Sequence, residues 1–187
     1  MTVSAEVKLL DQNTANQIAA GEVVEKPASV VKELVENALD AGAGKIDVTI
    51  FEGGTQYIRV ADDGSGMTEA NAKLAVLRHA TSKIRAAEDL MSLHTLGFRG
   101  EALASIAAVS RVELLTCAAG ETAGTRYTLE GGEDGHLEDT GCPQGTTIVV
   151  RDLFYNVPAR MKFLKKDVSE ANAVAGVVDR IALSHPE

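Results

Sequence analysis

Cysteine is scarce: Cys117 and Cys142 are the two in 187 residues, too few for a disulfide scaffold or a Cys-rich zinc site. Long apolar runs are missing. The longest, near Ala102 to Val109, is broken by Ser105 and falls far short of the roughly 20 residues of a membrane span. The opening Met1-Thr2-Val3-Ser4-Ala5-Glu6 has neither a basic start nor an apolar centre, so no signal peptide is expected. Aromatics are few, and Tyr127, Phe154, Tyr155 and Phe163 are too scattered for a base-stacking platform. Repeats and low-complexity tracts are absent. Basic residues number 18 against 27 acidic, a net charge of −9, which argues against a generally basic nucleic-acid coat. With 45% hydrophobic and 24% charged residues, the chain has the composition of a folded domain rather than a disordered one. One acidic, globular, cytoplasmic domain spanning 1–187 is expected, with a core large enough to need no staples.

Charge is unevenly spread. Residues 120–142 carry Glu121, Glu130, Glu133, Asp134, Glu138 and Asp139 against Arg126. Residues 151–166 carry Arg151, Arg160, Lys162, Lys165 and Lys166 against Asp152, which allows either a local basic patch or a solvated helix face.

The periodicity predicts a short helix at about 13–20, opened by Asn13 and ended by Gly21. A stronger helix follows Pro27, with Val30, Val31, Leu34, Val35, Ala38 and Leu39 in one stripe. Ile46, Val48 and Ile50 alternate as a strand, turned by Gly53-Gly54 into a second with Ile58 and Val60. Thr68 is placed to cap a helix reaching about His79. Residues 79–100 read as irregular, a length that inside a compact domain usually marks function or mobility. A helix of small residues from Gly100 to Ala108 comes next. Strands follow at about 111–117, 124–130 and 145–153, then helices at Pro158 and at 168–184. The expected class is α+β, a two-layer sandwich of helices on a mostly antiparallel sheet.

Glu33, Asn37 and Asp40 share one face of the helix after Pro27, opposite its apolar stripe. Spacing alone is satisfied by a solvated polar face. The chemical alternative is a carboxylate as general base one turn from a carboxamide oxygen, a hard donor suited to Mg²⁺. Asp62-Asp63-Gly64-Ser65-Gly66 ends a strand, either as a plain turn or as an Asp accepting from the amino group of a base, with glycines admitting a flat ligand. It is not a calcium loop, because the twelfth position is Lys73. Gly97-Phe98-Arg99-Gly100-Glu101 precedes a helix and suits either a flexible loop or an anion nest. Upstream, Lys83 is either solvated or set to meet phosphate. There is no P-loop and no dinucleotide fingerprint. His79, His94, His136 and His185 have no Cys or His at ligand spacing. Ser65, Ser82 and Ser105 lack a nucleophile elbow.

These constellations occur in one order. Glu33-Leu34-Val35-Glu36-Asn37-Ala38-Leu39-Asp40-Ala41-Gly42, Asp62-Asp63-Gly64-Ser65-Gly66, Gly97-Phe98-Arg99-Gly100-Glu101-Ala102-Leu103 and Gly145-Thr146-Thr147 resemble the four ATP-binding motifs of the GHKL superfamily of DNA gyrase, Hsp90, histidine kinases and MutL. Ile18-Ala19-Ala20-Gly21-Glu22-Val23-Val24, His79-Ala80-Thr81-Ser82-Lys83-Ile84 and Leu153-Phe154-Tyr155-Asn156-Val157-Pro158-Ala159-Arg160 resemble its mismatch-repair branch. The resemblance covers about 9–184.

The resemblance implies Glu33 as general base for the attacking water and Asn37 as the Mg²⁺ ligand. It implies Asp62 at the adenine amino group, with Thr147 beside it. Around ATP it sets Asn37, Asp40, Asp62, Gly64, Gly66 and Thr147, with a lid of Thr81, Ser82, Lys83, Gly97, Phe98, Arg99 and Gly100. Where the family has Asp-Asn-Gly this chain has Asp62-Asp63-Gly64, so Asp63 adds charge near the nucleotide unless it points to solvent. The family's phosphate-sensing lysine and its C-terminal dimerising region are expected beyond this chain, as parts of a longer protein.

The function implied is a slowly hydrolysing ATPase switch of DNA mismatch repair, coupling Mg-ATP binding to lid closure and N-terminal dimerisation. Partners implied are a MutS-type mismatch recognition protein, a downstream nuclease or helicase, DNA held weakly through other regions, and a second copy, with no membrane. The protein would be cytoplasmic and, in a bacterium, nucleoid-associated. The alternative is a nucleotide-gated DNA- or partner-binding module with negligible hydrolysis. A chaperone-like function is disfavoured by the mismatch-repair segments.

Overall fold

The computed structural model describes residues 9, 11–78, 80 and 101–185. Helix α1 spans Gln12–Val23. Its cap is Asp11, whose carboxylate accepts from the Thr14 amide at 2.9 Å and the Thr14 hydroxyl at 2.7 Å, so Asn13 lies inside the helix and does not open it. Gly21 does not end it either. A Cβ at Gly21 would fall on the Arg160 guanidinium, which donates to the Val24 carbonyl at 3.0 Å. This glycine serves a close approach rather than a stop, and the approach joins the 18–24 segment to the 153–160 segment.

Helix α2 (Pro27–Asp40) starts on its proline and buries Val30, Val31, Leu34, Val35 and Ala38. Strands β1 (Ile46–Phe51) and β2 (Tyr57–Asp62) pair antiparallel around the turn at Glu52–Gly54. Helix α3 (Glu69–Ala75) is capped by Thr68 and is shorter than the spacing predicts. Helix α4 (Ala102–Ala108) is almost wholly buried. Strands β3 (Arg111–Cys117), β4 (Gly124–Glu130), β5 (Glu133–Thr140) and β6 (Gly145–Arg151) follow, then helices α5 (Pro158–Met161) and α6 (Asp167–Ser184).

The sheet runs β1-β2-β6-β3-β4-β5, antiparallel at every junction. Ile58, Val60, Val112, Leu114, Tyr127, Leu129, Ile148 and Val150 form its buried face under the helices. Helices α2 and α4 pack on the sheet, with α6 against α2 and α1 against α4. This is the expected α+β sandwich. Strand β5 lacks an alternating apolar pattern and lies in the acidic stretch. It is an edge strand, and charged edges discourage pairing with other chains. Arg126 reaches Glu113 on one neighbour at 2.8 Å and Glu138 on β5 at 2.9 Å, so cross-strand ion pairs replace hydrophobic alternation.

The basic stretch does not form one patch. Arg151 lies over the Tyr57 ring, Arg160 turns inward to Val24, and Lys162, Lys165 and Lys166 are exposed. No helix of the described residues is long and apolar enough to cross a membrane.

Candidate functional site

The last strand in sequence, β6, inserts between β2 and β3. The ladder therefore sets Thr146 opposite both Asp62 and Thr116, with Gly145 opposite Cys117. Two glycines make the corner possible. Gly66 has φ +63°, and a Cβ there would stand 1.9 Å from the Cys117 carbonyl oxygen. Gly145 has φ +114°, and its Cβ would stand 2.1 Å from the Asp62 carbonyl oxygen. Any L side chain at either place would meet backbone as well as an unfavourable φ.

Asp62 is partly buried at this corner. Its Oδ1 accepts from the Gly64 amide at 2.9 Å and the Thr146 amide at 3.2 Å. Burial raises its pKa above the ordinary carboxylate value; the two amides pull the other way, and Asp63 adds to the rise. Its Oδ2 makes no hydrogen bond among the described residues. A fixed acceptor with one oxygen uncommitted can receive a ligand N–H.

Asp63 turns elsewhere. Its Oδ1 accepts from the Gly44 and Lys45 amides, both at 2.8 Å. These amides, that of Lys45 foremost, hold its pKa below the usual value. The extra charge at this position is spent on the α2–β1 connection.

Thr116 and Gln144 have no counterpart in the sequence reading. Thr116 is fully buried; its hydroxyl accepts from the Met67 amide at 2.9 Å, lies 3.0 Å from the Gly145 carbonyl oxygen and 3.1 Å from the Thr146 hydroxyl. Gln144 donates to the Gly64 carbonyl at 3.2 Å. Neither residue stands in a recognisable pattern; each is at the corner because distant strands converge. Thr147 lies opposite Ala61 and Leu115. Strand alternation puts its side chain on the sheet face away from Asp62, so the threonine beside Asp62 is Thr146, one residue before the expected one.

The polar face of α2 approaches the same corner at its C-terminal end. Asp40 is followed by Ala41, whose carbonyl accepts from the Ser65 amide at 2.9 Å. A Cβ at Gly64 would sit 2.9 Å from that same carbonyl oxygen. Higher on the helix, Glu33 and Asn37 are partly buried and Asp40 is exposed. Lys32 bonds Glu36 at 2.9 Å and lies 3.6 Å from Glu33. The Glu36 hydrogen bond is the largest influence raising the lysine's pKa. Among the described residues no three His, Cys, Asp or Glu side chains converge as a metal cage.

Thr81, Ser82, Lys83, Gly97, Phe98, Arg99 and Gly100 lie outside the described residues. The residues flanking them meet: Arg78 is 4.0 Å from Glu101 and donates to the Asn16 side chain on α1 at 3.0 Å. A surface hollow of about 670 Å³, lined by Arg111, Glu130 and Tyr155 among others, includes none of the candidate site residues.

This arrangement can be set beside known proteins. Residues 25–135 match the family of histidine kinase-, DNA gyrase B- and HSP90-like ATPases, and the chain belongs to that family. Within it, MutL proteins are among those similar to this chain. The chain is 58% identical over 183 residues to the DNA mismatch repair protein MutL of Symbiobacterium thermophilum, covering 98% of this chain and 29% of that protein. It is 59% identical over 181 residues to MutL of Caldanaerobacter subterraneus subsp. tengcongensis, covering 97% and 31%. Its fold matches the Aquifex aeolicus MutL ATPase domain complexed with ADP at a TM-score of 0.72 and 36% identity, over 88% of this chain and 57% of that one. The chain thus spans under a third of the length of these curated relatives.

Proposed function

We propose that residues 1–187 form an ATP-binding, slowly hydrolysing switch domain for DNA mismatch repair. The observation that carries this reading is Asp62, held by two backbone amides in a glycine-walled corner with its second oxygen uncommitted among the described residues. A carboxylate so placed accepts from the amino group of adenine. Thr146 stands beside it, and Gly64 and Gly66 keep the wall of the corner flat.

At the phosphate end, Glu33 takes a proton from the attacking water as general base. Asn37, with Asp40 below it on the same face, would hold Mg²⁺ through its side-chain oxygen. A hard carboxamide oxygen without a surrounding protein cage fits this ion. Bound there, Mg²⁺ would neutralise charge on the phosphates. Thr81, Ser82, Lys83 and Gly97 to Gly100 act as the lid over the phosphates. The Arg78–Glu101 pair and the Arg78–Asn16 bond tie the roots of that segment to α1, a route from lid closure to the N-terminal region and to pairing of two such domains. The ADP complex of the Aquifex domain supports the nucleotide, and the MutL relatives support mismatch-repair partners of the MutS type, a downstream nuclease or helicase, and DNA.

Calorimetry with a non-hydrolysable ATP analogue tests the reading, with and without Mg²⁺. Saturable binding that Mg²⁺ strengthens is expected. Absence of binding in both conditions would remove the nucleotide from the proposal.

A further inference from the structure

A hydroxyl carries one proton and two acceptor lone pairs. At the Thr116 hydroxyl the accounting closes in one way. The Met67 amide can only donate, so it occupies one lone pair. The Gly145 carbonyl can only accept, so it takes the proton. The Thr146 hydroxyl at 3.1 Å, where either oxygen could donate, is left facing the second lone pair, and with all three contacts satisfied together it directs its own proton there. Thr146 then offers only lone pairs to its remaining surroundings. Its partner across the ladder is Asp62, itself an acceptor.

We propose that Thr116 is a positioning residue for nucleotide selection. By holding the Thr146 proton it makes the Asp62–Thr146 corner a surface of acceptors with no side-chain donor. Such a surface favours a purine with an amino group at C6 and disfavours one with a carbonyl there, since nothing in the pair can donate to that carbonyl. The inference rests on the reading that Asp62 meets the base. It adds a buried residue across the ladder from Thr146 that touches no ligand.

The test compares equilibrium affinities for two non-hydrolysable triphosphates that differ at C6, the adenosine and inosine forms. Thr116→Val keeps the shape and removes the hydroxyl, freeing the Thr146 proton to turn outward and donate. The preference for the adenosine form should fall about fivefold, the worth of one neutral hydrogen bond. Thr116→Ser keeps the hydroxyl and should keep the preference, and that rescue separates proton placement from packing. Asp62→Ala is run alongside. If Asp62→Ala lowers the preference and Thr116→Val does not, this proposal is overturned and the base-reading role of Asp62 stands. If Asp62→Ala leaves the preference unchanged, the base reading fails and takes this proposal with it. Loss of preference in Thr116→Ser equal to that in Thr116→Val also overturns it. Should the valine variant not fold, Thr116→Ala against Thr116→Ser gives the same comparison, and equal preferences in the two overturn the proposal.

Discussion

The two ends of the candidate site are built on different principles. The Asp62 corner draws on β2, β3, β6 and the loop after β2, and its groups are held by hydrogen bonds between segments far apart in sequence. The Glu33–Asn37–Asp40 face comes from one helix, and its spacing is that of the helix alone. The corner can be strict in geometry without any ligand. The helix face presents groups at fixed intervals along a single element. On the proposed function, the base-reading corner is preorganised, whereas the hydrolytic end would be assembled on binding.

Four experiments press on that contrast. The largest effect is expected at the assembled end. Glu33→Ala should lose hydrolysis by about 10²–10⁴-fold while keeping ATP-analogue affinity, because a general base acts only when water attacks. The check is phosphate release at saturating ATP, in the protein extended to the length of its relatives, beside equilibrium affinity. Hydrolysis at the wild-type rate would return Glu33 to a solvated helix face.

Gly66→Val attacks the preorganised end. A side chain at positive φ, driven into the Cys117 carbonyl, should cost about 3 kcal/mol or more. Urea unfolding measures it, and a loss below about 1 kcal/mol would mean the corner yields easily. Asn37→Ala should remove the Mg²⁺ dependence of nucleotide affinity and spare the folding midpoint, since Asn37 is only partly buried. Mg²⁺-strengthened binding at the wild-type level would exclude it as a ligand.

The smallest effect concerns two neighbouring carboxylates with opposite linkage. Asp62 has its pKa raised above 3.8 by burial. The stability it contributes is complete below that value and lost as pH rises through the raised one. Asp63 has its pKa lowered from 3.8 by the Lys45 amide, so its contribution is present above that value and lost in acid. At neutral pH, Asp62→Asn should unfold no earlier than wild type and Asp63→Ala should unfold earlier. In strong acid both differences should shrink. Thermal unfolding across pH reads the two signs, and equal signs would show that the neighbours share one environment.

Much of this architecture could be read in advance because the determinants are local. Pro27 and a 3.6-residue stripe specify α2. Alternation at Ile46–Phe51 and the glycines after it specify the first hairpin. β3 and β4 fall at their expected residues, Arg111–Cys117 and Gly124–Glu130. The ordered motifs marked Asp62 as a candidate base reader and Glu33 and Asn37 as a one-turn pair. Strand β5 escaped because an edge strand needs ladder partners more than apolar alternation. Asp11 is not legible as the cap of α1, because a cap is recognised by the amide it meets. Gly21 read as a helix stop because its reason, the Arg160 guanidinium, arrives from the other end of the chain.

Whatever a residue's near neighbours decide was therefore present in the sequence: helix faces, strand alternation, turns, and the order of the motifs that resemble ATP-binding ones. Whatever depends on which strands become neighbours was settled only on folding. Putting β6 between β2 and β3 selects Thr146 over Thr147, because adjacent strand residues face opposite sides and one rung of register chooses between them. The same insertion sets Thr116 in one row with Asp62 across Thr146, though the two are far apart along the chain, while Asp63 bonds the Gly44 and Lys45 amides. A hydrogen bond needs its partner within about 3 Å and in line, and distance of that kind belongs to the folded chain alone.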